Sequence, residues 1–227
     1  MLHMLERGAR ESARDYAYRV IRFNILELFL VPGTTVSEKI LCDQLSISRT
    51  PVREALLDLS RQKLVDIVPQ RGTTVSLIDP KMVEEGHFLR ELVELEVVRQ
   101  VSGSIDEKDF HLLESNVMMQ DYHGKHNDID QFIHLDNDFH RTLFRICDRE
   151  ATYKVVADFQ AHFDRERKLS LQFVSIQDLV ADHKAVLEAI RKGDGSIAAT
   201  EMQRHLDHVL IDQKLLIDRF PQYFAQR

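Results

Sequence analysis

The run Ser48-Arg49-Thr50-Pro51-Val52-Arg53-Glu54-Ala55-Leu56 decides how this chain reads. Thr50-Pro51 is a helix start, a hydroxyl able to cap followed by a residue whose fixed φ suits the first helical position. Val52, Leu56, Leu57 and Leu59 continue the helix, and Arg49 and Arg53 stand one turn apart at its N-terminal end. That end offers free backbone N–H groups and the positive end of the helix dipole, which suits phosphate. Arginine there also reaches guanine O6 and N7 in a major groove. Taken alone, the run reads equally well as two arginines on a solvated face.

The flanking sequence favours the first reading. Upstream, residues 10–30 predict a helix carrying Ala13, Tyr16, Val20, Ile21, Ile25, Leu28 and Leu30, ended by Pro32-Gly33. A short helix from Ser37-Glu38 to Leu45 follows, with Ile40, Leu41 and Leu45 inward and Cys42 as a small core residue. Downstream, Leu64–Val68 and Thr73–Leu77 are β-rich runs about the turn Pro69-Gln70-Arg71-Gly72, a hairpin with a polar, basic tip. Three helices and a hairpin make a winged helix-turn-helix, expected over residues 1–78. Charge divides at the same place. Residues 1–78 carry 11 Lys+Arg against 9 Asp+Glu, so the formal net charge of −7 comes from the remainder.

The chain has 227 residues, 44% hydrophobic and 30% charged, a globular composition. With 8 Gly and 5 Pro it leaves little room for a turn-rich all-β fold. Two cysteines, Cys42 and Cys147, make neither a disulfide framework nor a zinc ribbon, so a reducing cytoplasm is expected. Val20–Val31 is too short, and too interrupted by Arg22, Asn24 and Glu27, to span a bilayer, and no leader pattern opens the sequence. From Asp79-Pro80 onward only helices are predicted: 80–103, 106–123, 128–147, 151–172, 175–192 and 195–219. The expected fold is therefore mainly α, a winged helix-turn-helix followed by an all-helical bundle over residues 79–227.

Eleven histidines are many for this length, and three stand on apolar stripes. Asp136 and His140 interrupt the stripe of Ile129, Phe132, Ile133, Leu143, Phe144 and Cys147 at i, i+4 spacing. A carboxylate on an inward face is costly unless paired or metal-bound, and an Asp–His hydrogen bond in the core is the plain alternative. His183 lies with Leu179, Val186, Leu187 and Ile190, and His205 with Ala198, Met202 and Val209. The two are equidistant from the Gly193-Asp194-Gly195 turn, so antiparallel helices folded there bring them level. Three imidazoles and a carboxylate can surround one divalent cation: zinc or nickel suit the imidazoles, and the carboxylate admits manganese. His208 is the competitor for His205, and His162 a further inward candidate. Arg90, in line with Val83, His87, Glu94 and Val97, can either grip a carboxylate ligand in a two-pronged bond or close an internal salt bridge to Glu94.

Pro32-Gly33, Ser37-Glu38, Ser48–Leu56, Leu64-Val65 and Arg71–Val75 together resemble the DNA-binding domain of GntR-type bacterial transcription regulators. The resemblance implies operator contacts for Lys39, Arg49, Thr50, Arg53, Arg71 and Gly72, with Gly72 letting the wing backbone approach a minor groove. Lys39 stands where many relatives have arginine, keeping the charge without the bidentate fork. Lys63 stands where a glycine usually ends the third helix. Asp136–His140, Asp182-His183 and Met202–Leu206 resemble the effector domain of the FadR branch, although relatives often carry glutamate at the position of Asp182. That resemblance implies a divalent metal on Asp136, His140, His183 and His205, completed by a small organic acid, with Arg90-x-x-x-Glu94 matching a family stretch.

The leading expectation is a homodimeric transcription regulator, a repressor, on a palindromic double-stranded operator, controlled by a small carboxylate bound at the metal. A regulator sensing the metal itself is a second reading. A metal-dependent hydrolase on a helical bundle is a third, weakened by the lack of a spare inward carboxylate as base and by a DNA-binding head that it would not use.

Overall fold

The computed structural model of the chain describes residues 1–68, 72–208 and 213–226. They form two compact units: Met1–Glu84 with Phe159–Leu169 and Gln213–Arg227, and Glu85–Asp158 with Ser170–Asp212. The fold is mainly α, with an N-terminal winged helix-turn-helix, one small sheet and an all-helical remainder among the described residues.

In the first unit α1 (Ala13–Leu26) begins where the Ser12 side chain accepts a bond from Asp15 N–H. It ends earlier than the apolar pattern predicts. Glu27 caps it and Leu28 turns left-handed at φ 59°, so Leu28 and Leu30 lie past the helix, the latter donating its N–H to Asn24 O at 2.8 Å. Next come β1 (Thr35–Val36), α2 (Glu38–Leu45) and α3 (Arg49–Arg61). Leu41 and Leu45 are buried one turn apart on α2. Ile40, expected inward, is 54% exposed, because it sits about 100° round the helix from Leu41. The cap of α3 is Ser48, not Thr50, which moves Pro51 to the third helical position. The move costs no hydrogen bond, since the first four helical N–H groups have no partner inside the helix.

The wing is β2 (Val65–Val68) against β3 (Gly72–Val75), antiparallel with Val65 opposite Val75 and Val68 opposite Gly72. A third strand, missed by pattern reading, is the two-residue β1, which pairs with β3 and gives the order β1-β3-β2. Gly72 holds φ 102°, a conformation that non-glycine residues rarely adopt. The turn residues 69–71, Arg71 among them, lie outside the described residues. Lys63 enters the wing at φ 60°, so a lysine occupies the left-handed turn that the resemblance assigns to glycine. Ile21, Ile25, Val52, Leu56, Leu59 and Leu64 are almost fully enclosed in a core from α1, α2, α3 and the wing base. Each such side chain contributes about 1.5–3 kcal/mol of apolar burial.

Asp79 caps α4 (Pro80–Ser104) through Oδ1, which accepts Lys81 N–H at 2.9 Å. The second unit continues with α5 (Glu107–Lys125), α6 (Ile129–Ile146) and α7 (Glu150–Phe159). The expected helix 151–172 is broken at Gln160. There the chain passes from the second unit to the first, and α8 (Ala161–Ser170) buries Ala161, Phe163 and Leu169, Ala161 joining the core of the first unit. Then come α9 (Ile176–Arg191) and α10 (Gly195–His208), turned about Gly193 at φ 70°, with Asp194 Oδ1 accepting Ser196 and Ile197 N–H. The expected helix 195–219 is described as α10 and α11 (Gln213–Arg219); Val209 lies outside the described residues. Gly124 lets α5 close on the first turn of α9, where a Cβ would stand 2.8 Å from Ile176 Cγ2.

Candidate metal centre and nucleic-acid surface

Helix α6 has the apolar face the sequence predicts, with Phe132, Ile133, Phe139, Leu143 and Phe144 buried, and it turns Asp136 and His140 into the second unit with them. The α9–α10 hairpin brings His183 and His205 level, their Nε2 atoms 3.1 Å apart. His140 Nε2 lies 3.1 Å from the same His205 atom. Asp136 Oδ1 stands 3.8 Å from His183 Nε2 and 4.0 Å from His205 Nε2. All four residues are at most 3% exposed, and one ligand atom from each falls within 4.8 Å of every other. A looser group, His87, Glu91 and Asp207, is partly exposed, with 3.9 Å between the histidine and each carboxylate.

Partners on the far side of two rings fix where their lone pairs point. His183 Nδ1 lies 2.7 Å from Gln120 Oε1, an oxygen that only accepts, so Nδ1 carries the proton. His140 Nδ1 is bonded to the Glu94 carboxylate in the same sense. Burial pushes His183 down to about 3, so its ring is neutral at ordinary pH. His183 Nε2 therefore brings a lone pair to His205 Nε2, and His140 Nε2 meets the same atom. Two nitrogens bound about 2.0–2.1 Å from a common ion at tetrahedral or right angles lie about 2.9–3.4 Å apart, the spacing seen here. The donor set fits a divalent cation, and Gln120 and Glu94 are the outer partners that orient such ligands.

Glu94 links the centre to Arg90. Burial works to raise its carboxyl, but Arg90 and His140 together outweigh that and hold it at about 2. Arg90 donates Nε–H to Glu94 Oε1 at 2.6 Å, and the two side chains are each 3% exposed. The internal salt bridge is therefore made, and Arg90 is close enough for its charge to depress His183 further. Sequence reading missed Gln120, although it continues the buried α5 stripe of Phe110, Leu113 and Val117 and so announced a polar inward residue. His208 stands outside the quartet, its Nδ1 bonded to Asp182 Oδ2 at 2.8 Å, and Arg204 donates to the other Asp182 oxygen. His162 is in the first unit, not the second.

On the first unit the basic groups are outside. Arg49 and Arg53 have side chains 71% and 65% exposed, and both present Nε to Glu38, at 2.7 and 3.3 Å. These two arginines hold the Glu38 carboxyl below its ordinary range, so it is ionised. Thr50 and Lys39 are exposed on α3 and α2, and Gly72 is exposed on the wing. Among the described residues no helix is long and apolar enough to cross a membrane.

Comparison with known proteins agrees with this division. The family "Bacterial regulatory proteins, gntR family" matches residues 14–75, and "FCD domain" matches residues 85–208. The chain is 35% identical over 223 residues to an HTH-type transcriptional regulator in an unstable DNA locus of Streptomyces ambofaciens, spanning 98% of this chain and 93% of that one. It is 33% identical over 200 residues to the HTH-type transcriptional repressor RspR of Escherichia coli (strain K12), spanning 88% of each. In fold it is similar to E. coli McbR/YncC, with a TM-score of 0.77 at 18% identity over 94% of this chain and 99% of that one. These relatives are regulators, not enzymes, which removes the hydrolase reading. The chain belongs to the GntR family of bacterial regulatory proteins and is a DNA-binding transcriptional regulator with an FCD domain.

Proposed function

We propose that this regulator is a homodimeric repressor whose hold on a palindromic operator is set by a small organic acid bound at a divalent metal. Asp136, His140, His183 and His205 would hold the ion, and the observation that carries the reading is the convergence of their donor atoms. The ion would supply a Lewis-acid anchor for a carboxylate oxygen. Zinc or nickel suits three imidazoles, and manganese is compatible with the carboxylate.

This chain's own residues supply the rest of the site. Glu94 and Gln120 orient His140 and His183. Arg90, ion-paired with Glu94 beside the quartet, is the residue that would meet the effector carboxylate. On the first unit, Arg49, Thr50 and Arg53 at the start of α3 would read bases and phosphates in the major groove, with Lys39, Arg71 and Gly72 adding backbone and wing contacts. The effector shifts operator affinity only through unequal affinity for the DNA-competent and incompetent arrangements.

The test is elemental analysis of purified protein without an affinity tag, followed by thermal melts with a panel of small carboxylic acids, with and without chelator. Near-stoichiometric metal, and an acid whose stabilisation vanishes on chelation, is the expected result. Protein free of metal, whose melting point no acid shifts, would leave the quartet a core hydrogen-bond network and overturn the reading.

A further inference from the structure

Helix α8 lies within the stretch matched as the FCD domain, yet it folds with the winged-helix unit. Two of its polar side chains, His162 and Arg165, are 2% and 0% exposed there. They bond to each other and to backbone groups of Lys63 and Ser76, at the two feet of the wing, and of Asp79. Asp79 N–H donates to His162 Nδ1 at 2.9 Å, and Arg165 donates Nη2–H to the same atom at 3.0 Å. Both partners are donors, so Nδ1 holds the lone pair and Nε2 the proton, which goes to Lys63 O at 3.1 Å. Arg165 Nη1–H meanwhile donates to Ser76 O at 2.7 Å.

Lys63 closes the turn after α3 and Ser76 follows β3, so this pair ties together the residue before the wing hairpin and the residue after it. The feet are also joined directly, Ser76 Oγ donating to Lys63 O at 2.5 Å and Ser76 N–H to Leu64 O at 3.0 Å. A buried guanidinium facing neutral acceptors is a poor way to fill a core, since an apolar side chain would fill it without the cost of removing a charge from water. What arginine supplies there is direction, two N–H vectors at fixed angles.

We propose that His162 and Arg165 are positioning residues for operator binding, supplied by the middle of the chain and setting the angle at which the wing leaves the end of α3. The proposal rests on the reading of α3 and the wing as the DNA-contacting surface. It makes α8 a covalent tie, besides the start of α4 and the segment from Gln213, between the effector-binding stretch of sequence and the DNA-reading unit.

The experiment uses the full chain and a duplex selected by the wild-type protein from a random pool. Operator affinity, hydroxyl-radical footprints, helicity and metal content are compared for Arg165→Met, His162→Leu, His162→Gln and Arg49→Ala. Arg165→Met and His162→Leu are expected to bind about tenfold more weakly, the loss expected for one or two contacts. Minor-groove protection by the wing should fade while major-groove protection by α3, helicity and metal content stay. His162→Gln can accept from Asp79 and donate to Lys63, and is expected to recover most of the affinity. Wild-type affinity and footprint in both Arg165→Met and His162→Leu would overturn the proposal. So would loss of helicity together with both classes of protection in all three α8 variants, which would make the pair a plain folding element. If Arg49→Ala binds the duplex normally, the reading of the DNA surface has failed instead.

Discussion

The two ends of this regulator place their working groups in opposite ways. Arg49 and Arg53 ride on a closed apolar core with most of each side chain in water. Asp136, His140, His183 and His205 lie inside the core of their unit, together with Glu94, Arg90 and Gln120. Substitutions on the first surface are expected to change what is bound and leave the fold alone. In the second place, the proposed function and the fold would rest on the same contacts, because a buried charge or donor that loses its partner carries its full desolvation cost. The difference suits the two proposed tasks: a duplex would be met at a surface, whereas a metal with a small acid would need a dry, polar interior.

The contrast breaks most visibly if the quartet is dismantled. His183→Ala combined with His205→Ala is expected to abolish stoichiometric metal binding and the response to acids. An ion present at a thousand times its dissociation constant stabilises by about 4 kcal/mol, so the melting point should fall by on the order of 10 °C. Retained metal in the double variant would dismiss the assigned ligands.

A smaller effect tests whether α8 introduces buried-charge behaviour into the first unit. Burial raises the Glu166 carboxyl from 4.5 to about 7, helped by Glu84 and opposed by a hydrogen bond from Gln213. The folded state therefore holds a proton that the unfolded chain has lost. Its contribution is fully present below about pH 4.5 and is lost as pH rises through 7. Glu166→Gln should be up to about 3 kcal/mol more stable than wild type at pH 8 and indistinguishable from it near pH 4, as read from denaturant melts across that range. His162 slopes the other way. Burial first, then Arg165, lowers it from 6.5 to about 4, so its contribution is present above pH 6.5 and fades as pH falls through 4.

On the exposed surface, Arg49→Ala or Arg53→Ala should weaken binding to a selected operator by about ten- to a hundredfold while leaving the thermal melt unchanged. Normal operator binding by either would show that α3 is misassigned. The smallest effect concerns Lys63, whose left-handed backbone suits glycine better. Lys63→Gly is expected to gain about 1 kcal/mol in a chemical denaturation curve, and a loss would mean the lysine stem packs usefully there.

Much of this was legible before any coordinates. Asp136 and His140 at i, i+4 on one stripe, and His183 and His205 mirrored about Asp194, needed only helical periodicity and a short turn to be brought together. Lys63 stood out through the family resemblance, which puts a glycine at the end of the third helix. Other features had no local signal. Strand β1 is two residues long and exists only because β3 pairs with it. The break at Gln160 involves no glycine or proline, and its cause is tertiary: α8 buries His162 and Arg165 in another unit from α7. Glu94 looked like the partner of Arg90, which it is, but its second oxygen serves His140 from 46 residues away, a contact no pattern along the chain can show.

The most direct test of the central claim is operator affinity, by fluorescence anisotropy, for metal-loaded and chelator-stripped protein titrated with the acid that gives the largest thermal shift. The account predicts that the acid changes affinity severalfold or more in the loaded protein, does nothing in the stripped protein, and acts again once metal is restored. An acid effect of equal size without metal would contradict it, because the quartet would then be no part of the switch.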